Sequence, residues 1–164
     1  MTAKPYQVLV LCTGNSARSI LAEVLFNTLG NGMFKACSAG SKPAGRVNPY
    51  ALELLQSQGY SIDGLSSKSW DEFATGQEFD FIFTVCDNAA GETCPVWPGR
   101  PATAHWGIPD PAAIEGDDDA KRAAFRAAYN QLARRIQLFM SLSIASLDRL
   151  ALQQKLADIG RITD

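Results

Sequence analysis

VLVLCTGNSARSILAEVLF, residues 8–26, changes character twice. It opens as an unbroken apolar run ending at Cys12, turns small and polar, and then places Ile20, Leu21, Val24 and Leu25 at helical spacing, a pattern that Leu29 continues beyond the stretch and Gly30 is set to end. A short unbroken apolar run suits a strand buried on both faces. The loop CTGNSAR thus sits outside the carboxyl end of a strand, where open α/β sheets bind ligands. Such a loop turns backbone N–H groups inward beside a helix N-terminus and so builds an anion site. Gly14 permits tight curvature, and Arg18 can grip an oxyanion with two parallel hydrogen bonds. The same field favours a thiolate at Cys12, where a free thiol titrates near about 8.5. The loop is no nucleotide P-loop, since it lacks Gly-Lys-Ser/Thr. It pairs a nucleophile with a cradle for a tetrahedral anion. The plain alternative is that Cys12 is a buried strand-end residue.

Working outward, MFKACSAG (33–40), FDFIFTVC (79–86) and ATAHW (102–106) read as further strands. NPYALELLQSQG (48–59) reads as a helix, capped by Asn48, opened by Pro49 and closed at Gly59. WDEF (70–73) reads as a short helix. DNAAGETCPVWPGRP (87–101) and GIPDPAAIEGDDD (107–119) read as loops. A long helix is expected from Asp118 to Leu142, with Phe125, Leu132, Ile136 and Phe139 on its apolar face. A last amphipathic helix is expected over IASLDRLALQQKLADIG (144–160). Strands alternating with helices imply a parallel, doubly wound α/β sheet of four strands.

The 164 residues suit one domain. We divide it into a catalytic part, 1–142, and a helical extension, 143–164. Hydrophobic residues make up 46% and charged residues 20%, which argues against global disorder. A net charge of −2 supplies no general field for nucleic acid or anionic lipid, so any anion site must be local. No apolar run approaches the roughly 20 residues of a membrane span. The start, MTAKPYQVLVLC, lacks the features of a secretory signal, so a cytoplasmic protein is expected. In a reducing compartment Cys12, Cys37, Cys86 and Cys94 are read as thiols rather than as a disulfide scaffold.

CTGNSARS (12–19), together with Asp110–Pro111 late in the chain, resembles the low-molecular-weight protein tyrosine phosphatases. Within that fold, TVCDNAAGETCPVWPG (84–99) and HWGIPDPA (105–112) are similar to the thioredoxin-coupled arsenate reductases. The resemblance covers about residues 6–142. It implies strand order 2-1-3-4, which brings Cys12 and Cys86 to one sheet edge on neighbouring strands about 4.8 Å apart. It further implies oxyanion binding by Thr13, Gly14, Asn15, Ser16, Ala17, Arg18 and Ser19, with Asn15 and Ser19 bracing the loop. Asp110 would be the general acid. Cys12, Cys86 and Cys94 would form a disulfide relay that reduces arsenate to arsenite. Reduced thioredoxin, or glutathione with glutaredoxin, would restore the thiols, and no cofactor is needed.

Some of these reductases hold potassium beside the loop. Asn15, Glu23 and Ser38 match its ligands and Ser66 substitutes for another, but Lys68 stands where the family has an acid. No metal is therefore expected. Ala17 replaces a cysteine that many relatives carry. Cys37 is read as a core residue, and His105 and Trp106 as packing or positioning residues for the acid loop. The enzyme alternative is a phosphomonoesterase using Cys12, Arg18 and Asp110, with Trp97 near the entrance. A binding protein that only senses oxyanions is the alternative outside enzymes.

Overall fold

The opening apolar run forms strand β1, Tyr6–Cys12, and it is central. Phe34–Gly40 (β2) pairs with it on one side and Phe81–Thr84 (β3) on the other, while Ala102–His105 (β4) adds to β3. All pairings are parallel and the order is β2-β1-β3-β4, as expected. The computed structural model describes residues 4–73, 77–86, 99 and 101–162. Cys94, Gly91, Pro95 and Trp97 lie outside the described residues.

Burial on both faces explains why β1 is apolar without interruption. Val8, Val10 and Cys12 face the larger layer, built from helices α1 (Arg18–Leu29), α2 (Pro49–Ser57), α3 (Asp118–Met140) and α4 (Arg149–Gly160). Leu9 and Leu11 face a smaller layer with Ala39, Phe79 and Ile82, against which Trp70 and Phe73 of a 3-10 turn pack. The larger layer is centred on aromatic rings. Phe83 stacks on Trp106 at 4.0 Å and on Phe26 at 5.5 Å, and Phe139 meets all three edge-on. Phe125, Leu132, Ile136 and Phe139 are buried along α3, as its periodicity predicts.

Local chemistry sets the helix ends. The Asn48 side chain accepts from Tyr50 N–H at the start of α2, and Gly59 takes the left-handed conformation just past its end. The Asp117 side chain caps α3 through Ala120 N–H. The final helix begins later than its amphipathic pattern suggests. Ile144–Ser146 is a separate 3-10 turn, Leu147 is extended, and Asp148 caps α4 through Ala151 N–H at 2.7 Å. An aspartate gains more as a cap, satisfying an orphan N–H, than inside a helix. No helix among the described residues is long and apolar enough to cross a membrane.

Candidate active site

Strand β1 and helix α1 fix the two ends of the loop Thr13–Ala17, and its carbonyls face outward. The Thr13 carbonyl accepts from Lys42 N–H, that of Gly14 from Ala44 N–H and the Ser67 hydroxyl, and that of Ser16 from Asn48 N–H. In a trans peptide the C=O and the following N–H point in opposite directions. The N–H groups of Gly14, Asn15 and Ala17 are therefore turned away from these partners, toward the inside of the loop. Helix α1 adds its own N-terminus. Its N-cap is Ala17, no side chain caps it, and its first turn carries no acid. N–H groups turned this way beside an uncapped helix start form an arrangement that can hold an anion.

The residue that lets the chain turn is not the one expected. Gly14 has no positive φ, and a Cβ there would meet only the Ser16 Oγ at 3.6 Å. The left-handed residue is Asn15, at φ 46°. Asparagine tolerates that region because its short polar side chain finds local partners. Here Nδ2 donates to Ser19 Oγ at 2.8 Å and Ser38 Oγ at 2.9 Å, while Oδ1 accepts from Lys68 N–H at 2.9 Å. Asn15, Ser19 and Ser38 are fully buried. Asn15 and Ser19 thus lie in one network beneath the loop.

Gly40 is a supporting residue that the sequence reading missed. It ends β2 opposite Cys12, and a Cβ there would collide with the Thr13 carbonyl oxygen and stand 2.8 Å from that of Cys12. The loop can pass only because position 40 has no side chain. Its one trace in the sequence is a glycine closing a strand.

The network continues to Lys68. Ser38 Oγ donates to Glu23 Oε1 at 2.6 Å, and Lys68 Nζ lies 3.8 Å from the same oxygen and donates to the Ser66 carbonyl at 3.0 Å. Burial raises the Glu23 carboxyl above the usual range, opposed by the Ser38 hydroxyl and the Lys68 ammonium. The Asn15 Oδ1 already accepts from Lys68 N–H, and the Lys68 ammonium already lies beside the Glu23 carboxylate and on the Ser66 carbonyl. This donor set does not fit a further potassium ion, which would have to share its ligands with a like charge.

Arg18 joins the cradle to the acid segment. Its Nη1 donates to the Ile108 carbonyl at 3.0 Å and its Nη2 lies 3.7 Å from Asp110 Oδ2. Asp110 also caps the 3-10 turn Pro111–Ala113, accepting from Ala112 N–H at 2.9 Å. Its side chain is 42% exposed, so one carboxylate oxygen anchors the turn while the other faces the cradle's arginine.

Cys86 sits two residues past the register pair Leu11–Thr84, so its backbone runs alongside Thr13 rather than Cys12. Its sulfur still reaches both. Thr13 N–H donates to Cys86 Sγ at 3.3 Å, the Thr13 hydroxyl lies 3.6 Å away, and the Cys12 and Cys86 thiols are hydrogen-bonded to each other. This contact reverses the expectation of a stabilised Cys12 thiolate. The bond to Cys86 and then burial hold the Cys12 thiol protonated, outweighing the Arg18 guanidinium and the Thr13 N–H. Cys12 and Cys86 are buried thiols, not a disulfide. Cys37 is apart, half-buried against the smaller layer, and burial pushes its thiol up to about 12. His105 Nδ1 pairs with Thr84 Oγ1 at 2.7 Å. Among the described residues no group of three or more His, Cys, Asp and Glu side chains could hold a metal ion.

This geometry has known counterparts. An arsenate reductase of Halalkalibacterium halodurans is 36% identical over 129 residues, 79% of this chain and 91% of the relative. An arsenate reductase from Archaeoglobus fulgidus superposes with a TM-score of 0.59 at 30% identity, covering 79% of this chain and 98% of its own. An arsenate reductase solved in its phosphate-binding state superposes with a TM-score of 0.65 at 26% identity, covering 83% and 97%. Residues 7–154 match the family described as low molecular weight phosphotyrosine protein phosphatase, which spans the loop, both described site thiols and the acid segment. The chain belongs to the low molecular weight phosphotyrosine protein phosphatase family.

Proposed function

We propose that this chain is an arsenate reductase of that family, and that Cys12, Cys86 and Cys94 carry the two electrons. The observation that carries the reading is Cys86, whose sulfur lies against both the Cys12 thiol and the Thr13 N–H at the cradle. Ester hydrolysis needs a nucleophile, a cradle and an acid, and has no use for a second thiol bonded to the first. The curated relatives of 31% and 36% identity are named arsenate reductases.

Arsenate is held by the loop N–H groups of residues 13–19 and by Arg18. The Cys12 thiol passes its proton to the bound arsenate dianion as its sulfur attacks arsenic, and an arsenate oxygen leaves as water with a proton from Asp110. Cys86 then returns its own thiol proton to Asp110 and attacks the Cys12 sulfur. The S–As bonding pair passes to arsenic, so As(V) becomes As(III), and arsenite departs from a Cys12–Cys86 disulfide. Cys94 attacks Cys86 and releases Cys12 as a thiol, leaving Cys86–Cys94. A cytoplasmic dithiol protein of the thioredoxin type, or glutathione with glutaredoxin, reduces that bond. The Lys68 ammonium serves where relatives use a bound cation, and no cofactor takes part.

The test gives reduced protein arsenate without external thiol, traps free thiols and maps disulfides by peptide mass. A Cys86–Cys94 bond that needs arsenate and is absent in Cys12→Ser is the expected result. Retention of all four thiols would overturn the reading. The site would then be a phosphomonoesterase, since the cradle, Arg18 and Asp110 serve a phosphate ester equally well.

A further inference from the structure

The acid segment is short, and its root is buried. Trp106 N–H donates to the Thr84 carbonyl and Ile108 N–H to the Val85 carbonyl, so Trp106–Ile108 continues alongside the end of β3. Asp110 follows two residues later. Trp106 is 1% exposed and stacks on Phe83. A buried indole needs a partner for its N–H. It finds one outside the sheet: Nε1 donates to the Leu156 carbonyl of α4 at 3.0 Å.

Helix α4 is shaped to this seat. A Cβ at Gly160 would lie 2.5 Å from the His105 carbonyl oxygen and 2.9 Å from Trp106 Cδ1. The helix can approach β4 so closely only because position 160 carries no side chain. The Gln153 side chain donates to the Thr103 carbonyl on the outer edge of β4. The buried Arg135 of α3 donates from Nη2 to the Ile162 carbonyl at 3.0 Å, which ties down the far end. Leu156, Gly160 and Ile162 all lie beyond the residues matched by the family.

We propose that α4 is a positioning element for the general acid: by gripping Trp106 through the Leu156 carbonyl and the bare surface of Gly160, it fixes the root from which Asp110 reaches toward Arg18. The proposal rests on the reading of Asp110 as proton donor. Trp106 and Gly160 are positioning residues and touch no reactant.

Gly160→Val in the full chain pushes α4 off Trp106 and leaves the cradle unaltered. Trp106→Phe keeps an aromatic ring in the stack and removes the pyrrole half of the indole with its N–H, so it covers the case in which the first variant does not fold. Leu150→Ser, on the 81% exposed outer side of α4, is the control. Single-turnover loss of thiols after arsenate is measured in each, alone and combined with Asp110→Asn. General acids contribute roughly a hundredfold or more. We expect Gly160→Val to slow the arsenate step about tenfold, Trp106→Phe several-fold, and the control not at all. Competitive inhibition by phosphate should be unchanged. In the Asp110→Asn background the losses should vanish, because the acid they act through is gone. Losses that persist there, weaker phosphate binding in parallel, or full activity in both variants would overturn the proposal. If wild-type protein hydrolyses aryl phosphates and does not reduce arsenate, the reductase reading falls. The same cycle, read on esters with poor leaving groups, then decides the role of α4.

Discussion

The loop Thr13–Ala17 and the segment Trp106–Asp110 meet at Arg18, but different forces hold them. Beneath the loop lies a chain of directional polar bonds through Asn15, Ser19, Ser38, Glu23 and Lys68. The acid segment hangs from an aromatic stack at its root and is half-exposed at its tip. A cradle must keep its N–H groups aimed at a fixed point against a multiply charged anion, and hydrogen bonds fix direction as well as distance. A proton donor, the role proposed for Asp110, needs a firm root and a reachable tip. Packing supplies the first without constraining the second.

The largest effects should fall on the bases of these two walls. Phe83→Ala removes the ring on which Trp106 rests and opens a cavity in the main core, at a cost of about 3–5 kcal/mol by urea unfolding. Asn15→Ala leaves two buried hydroxyls and the Lys68 N–H short of a partner, and it forces alanine into the left-handed region. Together these cost about 2–4 kcal/mol. Asn15→Gly separates the parts, since glycine accepts the backbone and loses only the hydrogen bonds. It should recover about 1 kcal/mol of the alanine loss. Full recovery would mean that the polar network hardly stabilises the loop, and the contrast between the two walls would fail.

What could be read from the residues follows the same division. The strand–loop–helix course of the loop was legible because Cys12 to Ser19 are contiguous and the apolar pattern changes on either side of them. The cap at Asn48 was legible for a similar local reason, whereas the strand order came with the family resemblance. Features that depend on distant neighbours were not. Gly40 matters because of an approach to Thr13, far away in the chain. Asn15 took the turn expected of Gly14 because Ser38 and Lys68 stand ready to hold its side chain. The largest upward influence on the Cys12 thiol comes from Cys86, which the loop sequence does not contain. The start of α4 was misplaced because its amphipathic pattern runs through Asp148, whose capping bond decided the boundary.

The Glu23–Lys68 pair sharpens the comparison through pH, because the polar wall holds a carboxyl whose titration is shifted by burial. Burial raises the folded-state pKa of Glu23, and Lys68 opposes that rise. Lys68→Met should therefore raise it further. Where Glu23 is protonated in the folded state of both proteins, the lost attraction has no effect. The deficit appears as pH rises through the wild-type folded pKa of Glu23 and is complete above that of the variant. We expect the variant to be about 1–2 kcal/mol less stable at pH 8, between the values typical of surface and buried pairs, with a smaller deficit at pH 5. Equal deficits at the two pH values would mean that Lys68 acts through its contacts alone. Phe83→Ala provides the reference, since its cost should not vary between those pH values.

The smallest expected change in stability carries the most information about chemistry. Cys86→Ala removes the bond that does most to hold Cys12 protonated, leaving burial against the opposing Arg18 guanidinium and Thr13 N–H. The pH at which Cys12 becomes alkylated by iodoacetamide, followed on its own peptide to separate it from Cys37, should move down relative to wild type. Arg18→Met should move it up, because it removes a lowering influence. An unmoved midpoint in Cys86→Ala would mean that the two thiols titrate independently, and the contact would then be only a matter of packing. A downward shift would show that the thiols titrate as a pair, whose macroscopic steps belong to both sulfurs. The resting protein would then keep the Cys12 thiol capped by Cys86, the residue proposed to displace arsenite from it, and the polar wall would extend from the base of the loop to the thiol pair.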